Sequence, residues 1–312
     1  MKTRFHDAAE WCSEELDVDA YLARIGYGGP TEPTEEVLRG LHRAHATSIP
    51  FENLDIALGR EIRIDLPAIQ DKLLLRQRGG YCFEHNLLFA ALLGRLGFSV
   101  TRLAGRVRMG NARVLPSTHM TLSVSAGGKP WLADVGFGGE GLLEPVPLAD
   151  GATSEQDGRA YRLVRETERE WVLRSLRPDG WLDLYAFTLE PRRHADYFVA
   201  NYYTSTHPRS PFTGRVVAQR AKSERRLNLI DQSLVESDAS GEVTTRDVPD
   251  AELGALLRRF GIVLAPKARF SREDPMASAN GADGGRMRGF WRGQHLAWHD
   301  QVVGRPRVRA PG

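Results

Sequence analysis

The hydrophobic positions of the first hundred residues recur with the period of an amphipathic α-helix. The segment from Val18 to Ile25 follows Asp17, a residue type that caps helices, and precedes Gly26, which ends them. The same signals predict further helices that begin after Thr34, after Asp65 and at Cys82. This part of the chain is therefore expected to be helical.

Beyond Phe98 the pattern changes to the alternation that is typical of β-strands. Met120, Leu122 and Val124 alternate with polar residues. Further strand-like runs occupy residues 131–135, 161–164, 171–176 and 182–188. Together these runs predict an antiparallel sheet or a small barrel.

A third region contains both the helix-like and the strand-like spacing of apolar residues. Helices are expected around residues 195–203 and over 251–260, with strands at 226–231 and 233–236 between them. The changes of pattern divide the chain into a helical part at 1–97, a β-barrel part at 98–198, a linker helix with an α/β part at 199–264, and a tail at 265–312. That tail is rich in Gly, Pro and Arg, and we expect it to be mobile.

Composition excludes several classes of protein. A net charge of +2 over 312 residues makes no electrostatic case for binding nucleic acid. No apolar run approaches the ~18 residues that a membrane span needs, and the first residues lack the apolar core of a signal peptide. We expect a cytoplasmic protein whose cysteines, Cys12 and Cys82, are reduced; a disulfide between them is the alternative. Oligomeric state is left open.

The segment Arg78-Gly79-Gly80-Tyr81-Cys82 leads directly into an apolar, helix-forming run. A cysteine at the start of a helix lies where unpaired N–H groups and the positive end of the helix dipole stabilise a thiolate. Cys82 is therefore a candidate nucleophile, which also needs a histidine base and a group that orients the base.

His119 and Asp134 flank a turn and are the candidates for these two roles. If the loop is Ala126-Gly127, the two residues oppose each other directly on neighbouring strands. If the loop is Gly127-Gly128, they form a diagonal pair on the same face. In both cases the carboxylate can hold one ring nitrogen and leave the other for the thiol.

Each of these residues also has a structural interpretation as a buried thiol, a core histidine or a turn residue. Cys82 and His85 have the spacing of metal ligands, but no second ligand pair follows, so no metal site is expected. The Gly-rich segment at 136–139 lacks the spacing of a dinucleotide-binding loop. Only the combination of a cysteine, a histidine and an aspartate favours catalysis.

Several segments together resemble the arylamine N-acetyltransferase family. The matching pieces lie at residues 49–54, 78–82, 118–120, 133–138, 201–208 and 210–212. They occur in the family's order, and the resemblance extends from about Val18 to Leu264. It implies an α+β fold with an N-terminal helical domain, a central antiparallel β-barrel and a C-terminal α/β lid, and a core related to papain-like cysteine proteases.

The resemblance also implies an activity. Cys82 would take an acetyl group from acetyl-CoA, the donor co-substrate, in a ping-pong reaction, and would pass it to an arylamine, arylhydrazine or arylhydroxylamine. Cys82, His119 and Asp134 would be catalytic, and Phe137 would line the acceptor pocket. Four residues would border the coenzyme A cleft, namely Thr206, His207, Ser210 and Phe212. Glu52 and Arg78 would form an ion pair that braces the cysteine loop.

The basic residues between Arg209 and Arg226 would meet coenzyme A phosphates or form a solvated face. Two other functions use the same three catalytic residues. One is an amide synthase that closes a macrolactam on a carrier-bound polyketide, and the other is a cysteine hydrolase in which water resolves the acyl-enzyme. No nucleic acid or membrane is expected as a partner.

Overall fold

A computed structural model describes residues 11–111, 113–222, 225–238 and 242–264. The predicted tail at 265–312 lies outside these described residues. The helices are α1 (Val18–Ile25), α2 (Glu35–Ser48), α3 (Leu54–Ala57), α4 (Leu66–Gln70), α5 (Cys82–Arg95), α6 (His194–Thr206) and α7 (Asp250–Arg259). A 3₁₀ turn at Ser13–Glu15 precedes them, and a π-helical turn at Asp71–Leu75 continues α4.

Local capping determines where the first helices begin. The side chain of Asp17 accepts a hydrogen bond from Ala20 N at 2.9 Å, and that of Thr34 accepts one from Val37 N at 3.3 Å. Gly26 ends α1 with a φ of 66°, in the left-handed region that favours glycine. The predicted helix from Val18 to Ile25 and the predicted start after Thr34 are confirmed.

The strands lie in two antiparallel sheets. They are β1 (Phe51–Glu52), β2 (Ser99–Val107), β3 (His119–Ala126), β4 (Lys129–Ala133), β5 (Val146–Pro147), β6 (Thr153–Gln156), β7 (Arg159–Arg165), β8 (Glu170–Arg177), β9 (Gly180–Thr188), β10 (Val217–Ala221), β11 (Arg225–Ile230), β12 (Ser233–Asp238) and β13 (Val243–Asp247).

The larger sheet has eight strands in the order β5-β4-β3-β2-β9-β8-β7-β6. It is nearly closed, because Gln156 at the end of β6 reaches the segment before β5. Its Oε1 accepts hydrogen bonds from Leu143 N at 2.8 Å and Glu144 N at 3.0 Å. The prediction of an antiparallel sheet or small barrel in this part of the chain agrees with this sheet.

The smaller sheet has the order β1-β10-β11-β12-β13. Its edge strand β1 comes from the N-terminal part of the chain, where Phe51 pairs with Gln219. One face carries Leu227, Leu229 and Leu234, which pack in a core cluster with the apolar side of α7. The sequence analysis missed β1, β10 and β13, because their pairing depends on residues far apart in the chain.

The α5 helix is buried on all sides from Cys82 to Leu93. A helix that is apolar all round belongs in a core. Three polar residues, Glu84, His85 and Asn86, nevertheless lie in its first turns, and all are at most 1% exposed. Buried polar groups need hydrogen-bond partners. The residues packed around the start of α5 must therefore supply hydrogen bonds to these three side chains.

Candidate active site

Cys82 is the first residue of α5 and is 5% exposed. Its Sγ lies 3.7 Å from the carbonyl oxygen of Thr118, the residue before β3. Glu84 caps the start of the helix, since its carboxylate accepts a hydrogen bond from Tyr81 N at 3.0 Å. The thiol therefore lies at the positive end of a helix dipole and against the start of the strand that carries His119.

His119 and Asp134 form the diagonal pair. Ala126 pairs with Lys129, so the loop is Gly127-Gly128, whose φ values of 58° and 74° match a type I′ turn. In this register the position opposite His119 is Gly136, and Asp134 lies two residues before it, directly after the last strand pair Leu122–Ala133. His119 Nε2 nevertheless lies 2.6 Å from Asp134 Oδ2. The loop Ala126-Gly127 is wrong, and the expected contact between the two side chains is formed.

Charge on His119 is stabilised by its neighbours. Burial alone would lower the pKa of His119, but the carboxylate of Asp134 and the hydrogen bond and charge of Cys82 raise it to about 10. Burial would raise the pKa of Asp134, but His119 and its hydrogen-bond donors lower it. Because Nε2 is held by Asp134, Nδ1 is the nitrogen left for the thiol. This arrangement favours a protonated, positively charged His119 ring beside the Cys82 sulfur.

Asn86 holds Asp134 from the Cys82 helix. Its Nδ2 donates to Asp134 Oδ1 at 2.9 Å and to Met120 O at 2.7 Å, while its Oδ1 accepts from Val135 N at 3.1 Å. The amide thus ties α5 to both strands of the hairpin. The sequence analysis missed this role; the spacing of four residues from Cys82 indicates only that both side chains lie on one face of the helix.

His42 holds the backbone of the same aspartate. Its Nδ1 lies 2.9 Å from Leu143 O, which can only accept, so Nδ1 carries the proton. Nε2 then accepts from Asp134 N at 3.1 Å. Burial lowers the pKa of His42 to about 4, which keeps it neutral and able to accept this bond. No signal in the sequence links His42 to Asp134.

Gly136 allows the hairpin to approach the nucleophile. A Cβ atom at this position would lie 2.9 Å from Cys82 Cα and 2.7 Å from Asn86 Nδ2. Both distances are shorter than real Cβ contacts allow. The segment that follows Asp134 therefore needs glycine here to bring Asp134 and Cys82 to the same place.

Two aromatic rings, those of Phe137 and Tyr185, pack against His119. The His119 and Phe137 ring centroids lie 5.2 Å apart, and the Tyr185 ring on β9 lies 4.7 Å from His119. Phe137 and Tyr185 are themselves 5.2 Å apart. The sequence analysis singled out Phe137 but missed Tyr185. A flat apolar group could stack in this environment.

The residues expected near coenzyme A lie at the end of α6 and in the turn that follows it. Ser210 is 2% exposed, and its hydroxyl donates to Thr204 O and accepts from Phe212 N at 3.2 Å. Its hydrogen-bonding capacity is therefore engaged within the turn. The Phe212 ring lies 5.9 Å from that of Tyr81, the residue before Cys82.

The other two residues of this group face the surface. Thr206 donates its hydroxyl to Tyr202 O at 2.5 Å. His207 accepts from Arg209 N at 3.1 Å through Nδ1, and its ring stacks on Tyr203 at 4.4 Å. These contacts order the turn but leave Thr206 exposed.

Glu52 and Arg78 form a buried ion pair, as expected. Arg78 Nη2 lies 2.7 Å from Glu52 Oε1 and 3.2 Å from Asp55 Oδ1. Lys72 extends the network, with its Nζ 2.8 Å from Asp55 and 2.7 Å from Glu84. Burial favours the neutral lysine, but these carboxylates together raise the pKa of Lys72. The network anchors the loop that leads into Cys82.

Within the described residues, no group of three or more His, Cys, Asp or Glu side chains could hold a metal ion. His85, whose spacing from Cys82 suggested a ligand pair, instead donates to Pro50 O through Nε2 at 3.2 Å. None of the helices in the described part of the chain is both long and apolar enough to cross a membrane.

Comparison with known proteins gives one consistent family. A family model described as N-acetyltransferase matches residues 34–269. The chain is 40% identical over 257 residues to an arylamine N-acetyltransferase of Mycobacterium tuberculosis, covering 80% of this chain and 90% of the relative.

Solved structures that are similar to this chain come from the same family. The crystal structure of Nocardia farcinica arylamine N-acetyltransferase is 42% identical with a TM-score of 0.78, over 83% of this chain and 94% of that one. The Mycobacterium marinum enzyme in complex with CoA is 38% identical with a TM-score of 0.75, over 79% of this chain and 93% of that one.

Proposed function

Because this chain belongs to the arylamine N-acetyltransferase family, we propose that it transfers the acetyl group of acetyl-CoA to arylamines through a thioester on Cys82. The observation that carries the proposal is the contact of His119 with Asp134 at 2.6 Å, at the helix start that holds Cys82. The CoA complex of the Mycobacterium marinum enzyme supports the choice of donor. Arylhydrazines and arylhydroxylamines share the acceptor chemistry.

In the first half-reaction the Cys82 thiolate attacks the thioester carbonyl of acetyl-CoA. A new C–S bond forms, the old C–S bond breaks, and coenzyme A leaves as a thiolate that takes the proton of the His119 imidazolium. Backbone N–H groups at the start of α5 stabilise the negative charge on the carbonyl oxygen. One thioester replaces another, so the step is nearly balanced in free energy.

In the second half-reaction the neutral amine attacks the acetyl group on Cys82. His119, neutral after the first step, takes the proton from the attacking nitrogen, and Cys82 leaves as the thiolate. Asp134 keeps Nε2 of the ring occupied so that Nδ1 faces the reacting atoms. Aromatic amines suit this step because they are unprotonated at neutral pH.

We also propose the three-part layout of residues 1–97, 98–198 and 199–264, with a core related to papain-like cysteine proteases. The first part supplies Cys82, and the second supplies His119 and Asp134. We place the reaction in the cytoplasm, because the sequence predicts reduced cysteines and the reaction consumes acetyl-CoA.

The test is intact mass after incubation with acetyl-CoA alone. The unaltered protein and a Cys12→Ser variant should each gain one acetyl group, and Cys82→Ser should gain none. Addition of an arylamine should then release the group as the acetylated amine, and kinetics should give parallel double-reciprocal lines.

Two outcomes contradict the proposal. An acetyl group that leaves Cys82 rapidly without any amine favours a hydrolase. A protein that takes no acetyl group from acetyl-CoA but accepts an acyl group from a carrier protein favours an amide synthase.

A further inference from the structure

The smaller sheet turns a polar face toward the segment that follows Asp134. Its apolar face packs on α7, and its opposite face carries Gln219, Arg226 and Asn228. The three side chains are 3–6% exposed. Buried polar side chains on a sheet face need partners, and these three contact the short segment from Gly138 to Gly141.

Arg226 holds two carbonyls of that segment. Its Nη1 donates to Gly139 O at 2.5 Å and to Gly141 O at 3.0 Å, and its Nη2 donates to Tyr161 OH at 3.1 Å. Although Arg226 belongs to the basic stretch that the sequence offered for coenzyme A phosphates, its guanidinium is used inside the protein. A planar group with several fixed donors is suited to this task, because one side chain sets the positions of two carbonyls.

Gln219 holds the same segment with a hydrogen bond, and Asn228 packs against it. Gln219 Oε1 accepts a hydrogen bond from Gly139 N at 2.8 Å. A Cβ atom on Gly139 would lie 1.9 Å from Asn228 Oδ1, so a larger residue here would have to displace the Asn228 side chain or the segment itself. The backbone at Gly139 is thus held through both its N–H and its carbonyl group.

The held segment continues directly from Phe137. Phe137, Gly138, Gly141 and Gln219 line one cavity together with Asp134. Phe137 also faces His119, with ring centroids 5.2 Å apart. A displacement of the segment would therefore move the ring that faces the catalytic histidine.

We propose that Arg226 and Gln219 are positioning residues that set selectivity for ring-bearing acceptors by holding Phe137 through residues 138–141. The proposal rests on the proposed acetyl transfer. It predicts that the donor half-reaction, which takes place at Cys82, is insensitive to Arg226, whereas recognition of an aromatic acceptor depends on it.

Arg226 can be replaced without leaving a buried carboxylate unpaired. Glu140 lies in the held segment and bonds Arg177, and its Oε2 is also 3.2 Å from Arg159 Nη1. Removal of Arg226 therefore leaves Glu140 paired, and the variant does not create an uncompensated buried carboxylate.

The experiment compares Arg226→Met with Arg225→Met. Methionine keeps an apolar stem but removes every donor. Although Arg225 belongs to the same basic stretch, its side chain is 62% exposed and pairs with Glu236 on the other face of the sheet, so it is part of the solvated surface. For each variant, acetyl-Cys82 formation is measured without acceptor, and kcat and KM are then measured with an arylamine and with hydrazine, which has no ring.

For Arg226→Met we expect acetyl-Cys82 formation within about twofold of the unaltered protein, and an arylamine KM raised roughly tenfold. The KM for hydrazine should change little, because hydrazine has no ring to pack against Phe137. Arg226→Lys should recover part of the arylamine KM, and Arg225→Met should resemble the unaltered protein. If Arg226→Met does not fold, Gln219→Met is measured in the same way with the same expected result.

Equal losses with arylamine and hydrazine, or an unchanged arylamine KM in a folded variant, would overturn the positioning role. If the unaltered protein forms acetyl-Cys82 but acetylates no amine, the proposed function itself is wrong. The two failures are therefore distinguishable.

Discussion

Buried histidines occur in two settings around the Cys82 helix. His119 bonds a carboxylate, and its pKa is raised to about 10. His42 and His85 bond neutral groups, and burial lowers the pKa of each to about 4. Desolvation acts in the same direction on all of them. Direct contact with Asp134, together with Cys82, therefore distinguishes a histidine suited to acid–base chemistry from histidines that act only as structure.

The structural histidines form a chain whose proton positions are determined. His85 Nε2 must donate to Pro50 O, at 3.2 Å, so its Nδ1 can only accept. It accepts from His45 Nε2 at 2.8 Å, and His45 Nδ1 in turn accepts from Tyr21 OH. Each ring nitrogen of the chain has a hydrogen-bond partner. An added proton would break one of these bonds.

The comparison is tested most strongly by replacing one histidine from each setting with glutamine. His119→Gln should lower kcat/KM on the order of 10⁴-fold or more, because glutamine cannot take the amine proton. His45→Gln should leave kcat/KM of the folded enzyme nearly unchanged and should lower the free energy of unfolding by about 1–3 kcal/mol, since it disturbs buried partners. Steady-state kinetics and urea unfolding of both variants check the prediction. A similar kinetic loss in His45→Gln would remove the distinction.

The second prediction concerns the carboxylate. Asp134→Asn should fold but lose activity on the order of 10²–10⁴-fold, because an amide can present N–H to the ring and select the wrong tautomer. Alkylation of Cys82 by iodoacetamide at neutral pH should also slow, since the imidazolium that stabilises the thiolate is lost. If Cys12→Ser is introduced into both the unaltered protein and the Asp134→Asn variant, Cys82 is the only thiol left to be alkylated. An alkylation rate that is the same with and without Asp134 would show that this carboxylate does not support the thiolate.

The third prediction is the dependence of stability on pH. His42 and His85 have folded pKa values of about 4, below the ~6.5 of an unfolded histidine, so the unfolded state binds more protons between these limits. Their stabilisation is complete above pH ~6.5 and is lost as the pH falls toward 4, by about 3 kcal/mol for each residue. His119, whose pKa is raised, acts oppositely: its contribution is present below pH ~6.5 and is lost as the pH rises toward its folded value.

Urea unfolding at intervals across this range measures the effect. The His45→Gln variant, with one buried histidine fewer, should show a shallower fall of the free energy of unfolding below pH ~6.5. A free energy that stays constant between pH ~6.5 and ~4.5 would mean that these histidines are not neutral in the folded protein.

Predictions from local signals succeeded where the cause is local. A cap such as Asp17 bonds a backbone N–H three residues away, so the start of α1 follows from the sequence. The alternation at Met120 to Val124 and the Gly127-Gly128 turn likewise restricted His119 and Asp134 to one face of a hairpin. The strand β1 could not be found in this way, because Phe51 pairs with Gln219 across most of the chain.

The amino-acid sequence establishes which groups are available for the chemistry and which local element carries each of them. It placed Cys82 at a helix start, and it placed His119 and Asp134 on one hairpin face, because helix capping and strand alternation act over a few residues. The surroundings of these three residues arise from tertiary packing. Asn86 and His42 hold Asp134, and Arg226 holds the segment after Phe137, through hydrogen bonds between residues distant in the chain. Burial and partner choice determine the charge of each histidine, and both arise only when the chain has packed.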